Sequence, residues 1–161
     1  MSPFKNKLIP ILSVLLIFVL DRISKIWVLS YLKPKVNLDI LPFLKLTFVQ
    51  NTGAAFGSFQ NGNTVLIFVS LIVLFALIKY RTEIFALGKA ASFGWLFIIG
   101  GALGNLYDRI FLGAVVDFIN FVVWPVFNVA DSFITIGAIM LAFSILTDEY
   151  KKFKQKREVN K

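Results

Sequence analysis

Four long apolar stretches are separated by polar segments along this 161-residue chain. They cover residues 8–31, 63–80, 89–107 and 130–148. A helix that crosses the hydrocarbon core of a bilayer needs about 20 mostly apolar residues. The pattern therefore predicts an α-helical integral membrane protein with four transmembrane helices, folded as a single membrane-embedded domain over residues 1–161.

The segment between the first two stretches has a different pattern, in which apolar and polar residues alternate. A period of two is typical of a strand with one buried face. The pattern predicts a small sheet of two or more strands on the membrane surface. Its apolar positions are Val36, Leu38 and Ile40, and after Pro42 they are Leu44, Leu46 and Phe48.

The basic residues indicate how the chain is oriented. Most of the 17 Lys and Arg lie before the first stretch, between the second and third, and in the C-terminal tail. Cytoplasmic loops carry such an excess. Both termini are therefore expected in the cytoplasm, with segments 32–62 and 108–129 facing outward. The net charge of +8 is explained by topology and by anionic lipid headgroups, and no nucleic-acid partner is expected.

A cleavable signal peptide is an alternative interpretation of residues 1–28. No small-residue cleavage site follows the apolar run, and Asp21 and Arg22 come directly after it. The first stretch is therefore expected to stay as a helix.

Composition narrows the chemistry, because 58% of the residues are hydrophobic and the chain has neither His nor Cys. Their absence excludes Ser-His-Asp triads, thiolate nucleophiles and the usual zinc sites. Ser24, Ser58 and Ser132 lack the GxSxG context of a serine hydrolase, and no distinctive spacing indicates a Ser-Lys pair. Carboxylates are the main groups left for acid–base catalysis.

Asp117 and Asp131 are the strongest candidates for such catalysis. Both are expected near the outer interface, and Pro125 between them makes one continuous helix unfavourable. Two adjacent carboxylates share one proton, an arrangement suited to amide hydrolysis. The alternative is that each Asp only caps a helix or pairs with a base.

Nearby polar residues have helical spacings. Asn128 precedes Asp131 by three positions, and Asn105 precedes Arg109 by four, so each pair can share a helix face. Arg109 could bind a carboxylate, a lipid phosphate or its neighbour Asp108.

A third helical pair lies at the end of the first apolar stretch. Asp21 and Lys25 are four residues apart and could neutralise each other there.

Five segments in order resemble the motifs of lipoprotein signal peptidase, the bacterial signal peptidase II family of intramembrane aspartic proteases. The resemblance spans nearly the whole chain, and Ser24 stands where the family commonly has Thr. The segments are Asp21 to Lys25, Asn51 to Gly57, Gly104 to Arg109, Val115 to Phe118 and Phe127 to Ser132.

The resemblance implies a catalytic pair, Asp117 and Asp131, that uses no metal and no cofactor. It implies a substrate that is a diacylglyceryl-modified prolipoprotein, cut just before the lipidated Cys. It also implies that the outward strands form a cradle on the bacterial plasma membrane, with the active site at the outer face. Sensitivity to the cyclic peptide globomycin and a monomeric enzyme surrounded by membrane lipids are expected.

The resemblance further assigns roles to other positions. Those that support the site or contact substrate are Asn51, Gly53, Asn105, Arg109 and Asn128. Asp21 and Lys25 match structural or stabilising positions.

Two other functions remain open at this point. A small proton-coupled transporter or channel could use Asp21 as a relay, and it would carry ionisable groups near the bilayer midplane, often with inverted repeats. A membrane subunit without catalysis would explain the helices but not the Asn-rich motifs around Asp117 and Asp131.

Overall fold

A computed structural model describes residues 8–33, 37–53 and 62–159. The predicted strand residue Val36 and residues 54–58, which include Ser58 and part of the segment from Asn51 to Gly57, lie outside these ranges. The helices of the described residues are α1 (Leu8–Trp27), α2 (Asn63–Lys79), α3 (Arg81–Ala86), α4 (Lys89–Phe111) and α5 (Val129–Val159). The strands are β1 (Asn37–Leu41), β2 (Leu44–Asn51) and β3 (Val115–Asn120), and a π-helical segment, Val28–Leu32, continues α1.

The predicted combination of helices and a small sheet is confirmed. By length and composition, α4 with 23 residues and α5 with 31 are the helices of the described ranges that could cross a membrane, and α2 is apolar but shorter. The 20-residue α1 carries Asp21, Arg22 and Lys25 towards its C-terminal end. These four helices occupy the four apolar stretches of the sequence.

The helix α5 is longer than its apolar stretch and continues to Val159. The apolar stretch ends at about residue 148, but ion pairs at helical spacing stabilise the helix beyond this residue. Lys152 Nζ lies 2.7 Å from Asp148 Oδ2 and 3.3 Å from Glu149 Oε1. Pairs at i,i+3 and i,i+4 stabilise an exposed helix.

The sheet has a third strand that the alternation did not predict. The strand order is β1-β2-β3, and both pairings are antiparallel. In β3, Val115, Val116, Asp117 and Phe118 are all buried, so the sequence shows no alternation there. Pairing sets Asp117 opposite Val49 of β2.

The central helix of the fold is α4, which packs against α1, α2, α3 and α5. Its apolar contacts centre on Trp95, Leu96 and Ile99, with Leu74 from α2. The helix α1 approaches α4 closely at Gly104, where a Cβ atom would collide with the Asp21 carboxylate. The glycine therefore allows the charged end of α1 to enter the interior.

Large apolar side chains are exposed on this fold, while several charged groups are buried. Phe75 of α2 and Phe143 of α5 are each 67% exposed, whereas Asp21 and Lys25 are fully buried. Large contiguous apolar surfaces mark contact with a partner or a membrane. The outer surface of this protein is suited to hydrocarbon, and its interior holds buried charges as well as an apolar core.

Candidate active site

One cavity of about 500 Å³ brings together most of the predicted site residues. Trp124, Phe127 and Ile136 contribute apolar surface to its lining. Its polar lining is Asn51, Gly53, Asn105, Arg109, Asp117, Asp131, Ser132 and Thr135. The two candidate aspartates therefore face the same space, although 13 residues lie between them in the sequence.

Asp117 is held on β3 by two side-chain amides. Asn51 Nδ2 donates to its Oδ2 at 2.9 Å, and Asn128 Nδ2 donates to its Oδ1 at 2.7 Å. Burial raises the pKa of Asp117 to about 7, the negative charge of Asp131 adds to this rise, and the two amide hydrogen bonds oppose it. The protonated carboxyl is therefore favoured up to a higher pH than in an exposed Asp.

Asp131 lies in the first turn of α5 and takes part in a reciprocal cap. Its backbone N–H donates to Asn128 Oδ1 at 2.9 Å, and the Asn128 N–H donates to its Oδ2 at 3.2 Å. This is the arrangement of a capping box, with Asn128 as the N-cap. One oxygen of Asp131, Oδ2, thus takes part in the helix cap, as the helix-capping alternative expected. The other, Oδ1, accepts a 2.7 Å hydrogen bond from Asn105 Nδ2.

Asn105 and Asn128 are joined to each other. Asn128 Nδ2 also donates to Asn105 Oδ1 at 3.1 Å, and the same oxygen accepts a 2.9 Å bond from Lys25 Nζ. A continuous network of hydrogen bonds therefore runs from α1 through α4 to both aspartates.

Arg109 is directed at the turn that follows β2. Its Nη2 donates to the Gly53 carbonyl at 3.2 Å, and the Gly53 N–H donates to Asn51 Oδ1 at 3.0 Å. Asp108 is not its partner, because adjacent residues of a helix point in different directions. Asp108 instead forms ion pairs with Arg22 at 2.6 Å and Lys25 at 2.9 Å.

The Asp21–Lys25 contact is present at 2.9 Å within α1, with both side chains fully buried. Sequence reasoning did not include Arg22 and Asp108 in this cluster. The sequence did contain a sign of this cluster. Lys25 and the adjacent Arg22 are two cations near one carboxylate, Asp21, so one of them needs a second acidic partner when it is buried.

No group of three or more acidic side chains that could hold a metal ion occurs in the described ranges. The arrangement offers instead two carboxyl groups on one cavity, amide donors that fix them, and a guanidinium on the cavity wall. Such a site can perform general acid–base chemistry on a polar bond.

Comparison with known proteins gives a consistent answer. Residues 13–147 match the family model described as signal peptidase (SPase) II. A lipoprotein signal peptidase of Syntrophomonas wolfei is 49% identical over 140 residues, covering 84% of this chain and 91% of that protein. One from Clostridioides difficile is 41% identical over 149 residues, covering 88% of this chain and 97% of that protein.

Two solved structures of bacterial membrane enzymes share the fold. The first superposes with a TM-score of 0.84 at 29% identity and covers 94% of this chain and 96% of that one. The second has a TM-score of 0.75 at 29% identity and covers 92% and 99%. With most of its length matched by the family model and by relatives above 40% identity, this chain belongs to the signal peptidase II family of peptidases.

Proposed function

We propose that this chain is an intramembrane aspartic endopeptidase that removes the signal peptide from diacylglyceryl-modified prolipoproteins, just before the lipidated Cys. The carrying observation is that Asp117 and Asp131 face one cavity, where burial and the Asp131 charge raise the pKa of Asp117 to about 7. Two carboxyl groups in this relation hold one proton between them near neutral pH. Family membership and the relatives named lipoprotein signal peptidase support the substrate class.

In this proposal Asp117 holds the shared proton and Asp131 is ionised. Asp131 lies at the N-terminus of α5, where the helix dipole favours a carboxylate. Asp131 takes a proton from water while the water oxygen attacks the scissile carbonyl carbon, and Asp117 gives its proton to the carbonyl oxygen. As the C–N bond breaks, Asp131 returns a proton to the amine nitrogen and the hydroxyl proton returns to Asp117. Both carboxyl groups then regain their starting states.

The polar residues around the pair have supporting roles in this reaction. Asn51 fixes Asp117, Asn105 fixes Asp131, and Asn128 contacts both aspartates. Arg109 and Gly53, joined at 3.2 Å on the cavity wall, are proposed to contact the substrate backbone. No step requires a metal or a cofactor.

We further propose that α1, α2, α4 and α5 all cross the bacterial plasma membrane and that the cavity lies at its outer face. The apolar surface contributed by Trp124, Phe127 and Ile136 suits a substrate that carries acyl chains. An interfacial site lets those chains stay in the bilayer, and withdrawing them into water would cost about 0.8 kcal/mol per CH₂.

A proton relay through Asp21 is not favoured. Asp21 Oδ2 is paired with Lys25 at 2.9 Å, and its Oδ1 accepts the Ala130 N–H at 3.0 Å. Both oxygens therefore have fixed partners in the interior, and membership of a peptidase family also argues against transport.

The test is cleavage of a diacylglyceryl-modified prolipoprotein by the purified full chain in detergent, with a chelator present. The parent should cleave, and Asp117→Asn and Asp131→Asn should each be inactive. Asp39→Asn is the matched control, because Asp39 is an exposed carboxylate paired with Lys45 on the sheet and lies outside the cavity.

Each outcome decides a separate part of the proposal. Activity that survives Asp117→Asn or Asp131→Asn removes that residue from the mechanism. A folded but inactive parent rejects the substrate assignment. Loss of activity on adding the chelator would contradict a metal-free mechanism.

A further inference from the structure

Lys25 is a fully buried lysine whose ammonium has a complete set of partners. Its Nζ lies 2.9 Å from Asp21 Oδ2, 2.9 Å from Asp108 Oδ2 and 2.9 Å from Asn105 Oδ1. An ammonium has three N–H donors, and here three oxygen atoms surround it, with Asn105 accepting a hydrogen bond and the two carboxylates forming ion pairs.

The two carboxylates paired with Lys25 also each accept a backbone N–H next to a proposed catalytic aspartate. Asp21 Oδ1 accepts the N–H of Ala130 at 3.0 Å, and Ala130 directly precedes Asp131. Asp108 Oδ2 accepts the N–H of Val116 at 3.2 Å, and Val116 directly precedes Asp117.

The third partner of Lys25 reaches the pair through a side chain. Asn105 gives its oxygen to Lys25, and its Nδ2 donates to Asp131 Oδ1 at 2.7 Å. The ammonium therefore fixes the orientation of this amide, because a reversed amide would turn its NH₂ group towards Lys25 and its oxygen towards a carboxylate.

We infer that Lys25 is a positioning residue for the pair, because its two ion pairs and one hydrogen bond lead to the backbone N–H next to Asp117, the backbone N–H next to Asp131 and the side chain of Asp131. This inference rests on the proposed function. An Arg could not replace it, since a planar guanidinium cannot direct three donors along the diverging directions of an ammonium.

The alternative is that Lys25 only neutralises the buried carboxylates. Lys25 and Arg22 balance Asp21 and Asp108, so the cluster is formally neutral. Buried ion pairs are weak contributors to stability, and apolar replacements are often neutral or stabilising. Charge balance alone therefore does not explain why each partner of Lys25 contacts a segment that carries a catalytic aspartate.

The experiment separates charge balance from positioning. Lys25→Met leaves the cluster with one excess negative charge. The double variant Lys25→Met/Asp21→Asn restores neutrality, and the amide oxygen introduced at position 21 can still accept the Ala130 N–H.

The melting temperature in detergent should fall in the single variant and recover in the double variant. In both, kcat should stay about 100-fold below the parent, because misplacing catalytic groups by about 1 Å has this effect. KM should stay within about twofold.

Arg22→Gln is the matched control. Arg22 belongs to the same cluster through Asp108 Oδ1 at 2.6 Å and, more distantly, Asp21 Oδ2 at 4.0 Å, and it lies 4.6 Å from the centre of the Tyr107 ring. Unlike Lys25, it makes no hydrogen bond to Asn105 and does not contact the carboxylate oxygen of Asp108 that accepts the Val116 N–H. It should lower the melting temperature and leave kcat within about threefold of the parent. Recovery of kcat together with the melting temperature in the double variant, or an equal loss of kcat in Arg22→Gln, would overturn the inference.

A second measurement does not depend on turnover. The energetic coupling between Asp117→Asn and Asp131→Asn, measured as a double-mutant cycle on thermal stability, reports how closely the two carboxyl groups approach. We expect the coupling to fall by more than about half in the charge-balanced double variant. An unchanged coupling rejects the role of Lys25, whereas an inactive parent rejects only the proposed function.

Discussion

At the residue scale, Asn128 joins the two aspartates through the two ends of one amide. Its Oδ1 caps α5 at the Asp131 N–H, and its Nδ2 donates to Asp117 Oδ1. The cap requires only a side-chain oxygen close to the backbone. The contact with Asp117 requires an N–H donor about one bond further from the backbone. These two tasks can be separated by substitution.

Asn128→Ser should keep the cap and lose the contact with Asp117. Asn128→Ala should lose both, and it should be about 1 kcal/mol less stable than the Ser variant, the usual difference between a capping residue and Ala. Both variants should have kcat lowered by about 100-fold because Asp117 loses a donor that fixes it. Thermal unfolding and cleavage kinetics in detergent measure the two effects. Parent-like kcat in Asn128→Ser would contradict a catalytic role for the amide.

The pKa of Asp117 predicts the pH dependence of cleavage. Because the proposed working form has Asp117 protonated and its pKa is raised to about 7, kcat/KM should decline as the pH increases through about 7. A pH–rate profile of the free enzyme between pH 5 and 9 tests this (a range of about two units on either side). An increase through the same range would assign the role of base to Asp117 instead.

The same group predicts a change of stability with pH. Its ordinary pKa is 3.8, and the folded-state pKa is raised to about 7, so the folded chain binds more protons than the unfolded chain between these values. Stability should therefore decrease as the pH rises from about 4 to about 7 and then level off. Asp117→Asn should reduce this slope, which melting temperatures across the range would reveal. The exposed control Asp39→Asn should retain the parent's slope.

At the element scale, the pair depends on how closely α4 and α5 approach. A Cβ atom added at Gly94 would lie 2.6 Å from the Gly137 carbonyl oxygen, and one added at Gly137 would lie 2.6 Å from the Gly94 carbonyl oxygen. Small residues at such crossings let helix backbones meet inside a membrane. In the same pair of helices, Asn105 of α4 donates to Asp131 of α5 at 2.7 Å.

Gly94→Ala and Gly137→Ala should therefore separate the two helices. We expect each to cost about 1–3 kcal/mol of stability, the usual range for an overpacked interior. Activity should decrease as well, because the bond from Asn105 to Asp131 lengthens. Ile139→Ala is the control on the outer face of α5, where the Ile139 side chain is 63% exposed, and it should be nearly neutral in both assays. Parent-like stability in both glycine variants would show that the crossing tolerates a wider spacing.

The elements that the sequence predicted well are those with a strong local pattern. Apolar length indicated α1, α2, α4 and α5, and alternation indicated β1 and β2. β3 was missed because both of its faces are buried, and the end of α5 was missed because ion pairs rather than hydropathy stabilise it.

The site was predictable in its residue types but not in its connections. Absence of His and Cys directed attention to carboxylates, and the helical spacing of Asp21 and Lys25 indicated their contact. The bond between Asp21 and the Ala130 N–H joins positions 109 residues apart, and no local pattern encodes such a pairing. The role of Asp108 depends on the same packing of α1 against α4.

At the scale of the whole molecule, the two ends of the helices differ in chemistry. Exposed aromatic residues occur at both ends, in Trp27 and Tyr31 near the cavity and in Tyr80 and Tyr150 at the opposite end. Basic residues are concentrated at that opposite end, in Lys79, Arg81 and the last turns of α5. Aromatic residues favour membrane interfaces, and Lys and Arg favour the cytoplasmic side. The distribution supports an outward-facing cavity.

Because the chain has no Cys, single cysteines can report this orientation directly. Val123 is 92% exposed in the connection from β3 to α5, and Lys154 lies in the basic end of α5. A membrane-impermeant maleimide should label Val123→Cys in intact cells, and it should label Lys154→Cys only after the membrane is opened. The reverse pattern would put Asp117 and Asp131 on the cytoplasmic side. That outcome would contradict the proposed substrate, whose cleavage site must meet the pair at the outer interface, even if the chemistry of the pair were retained.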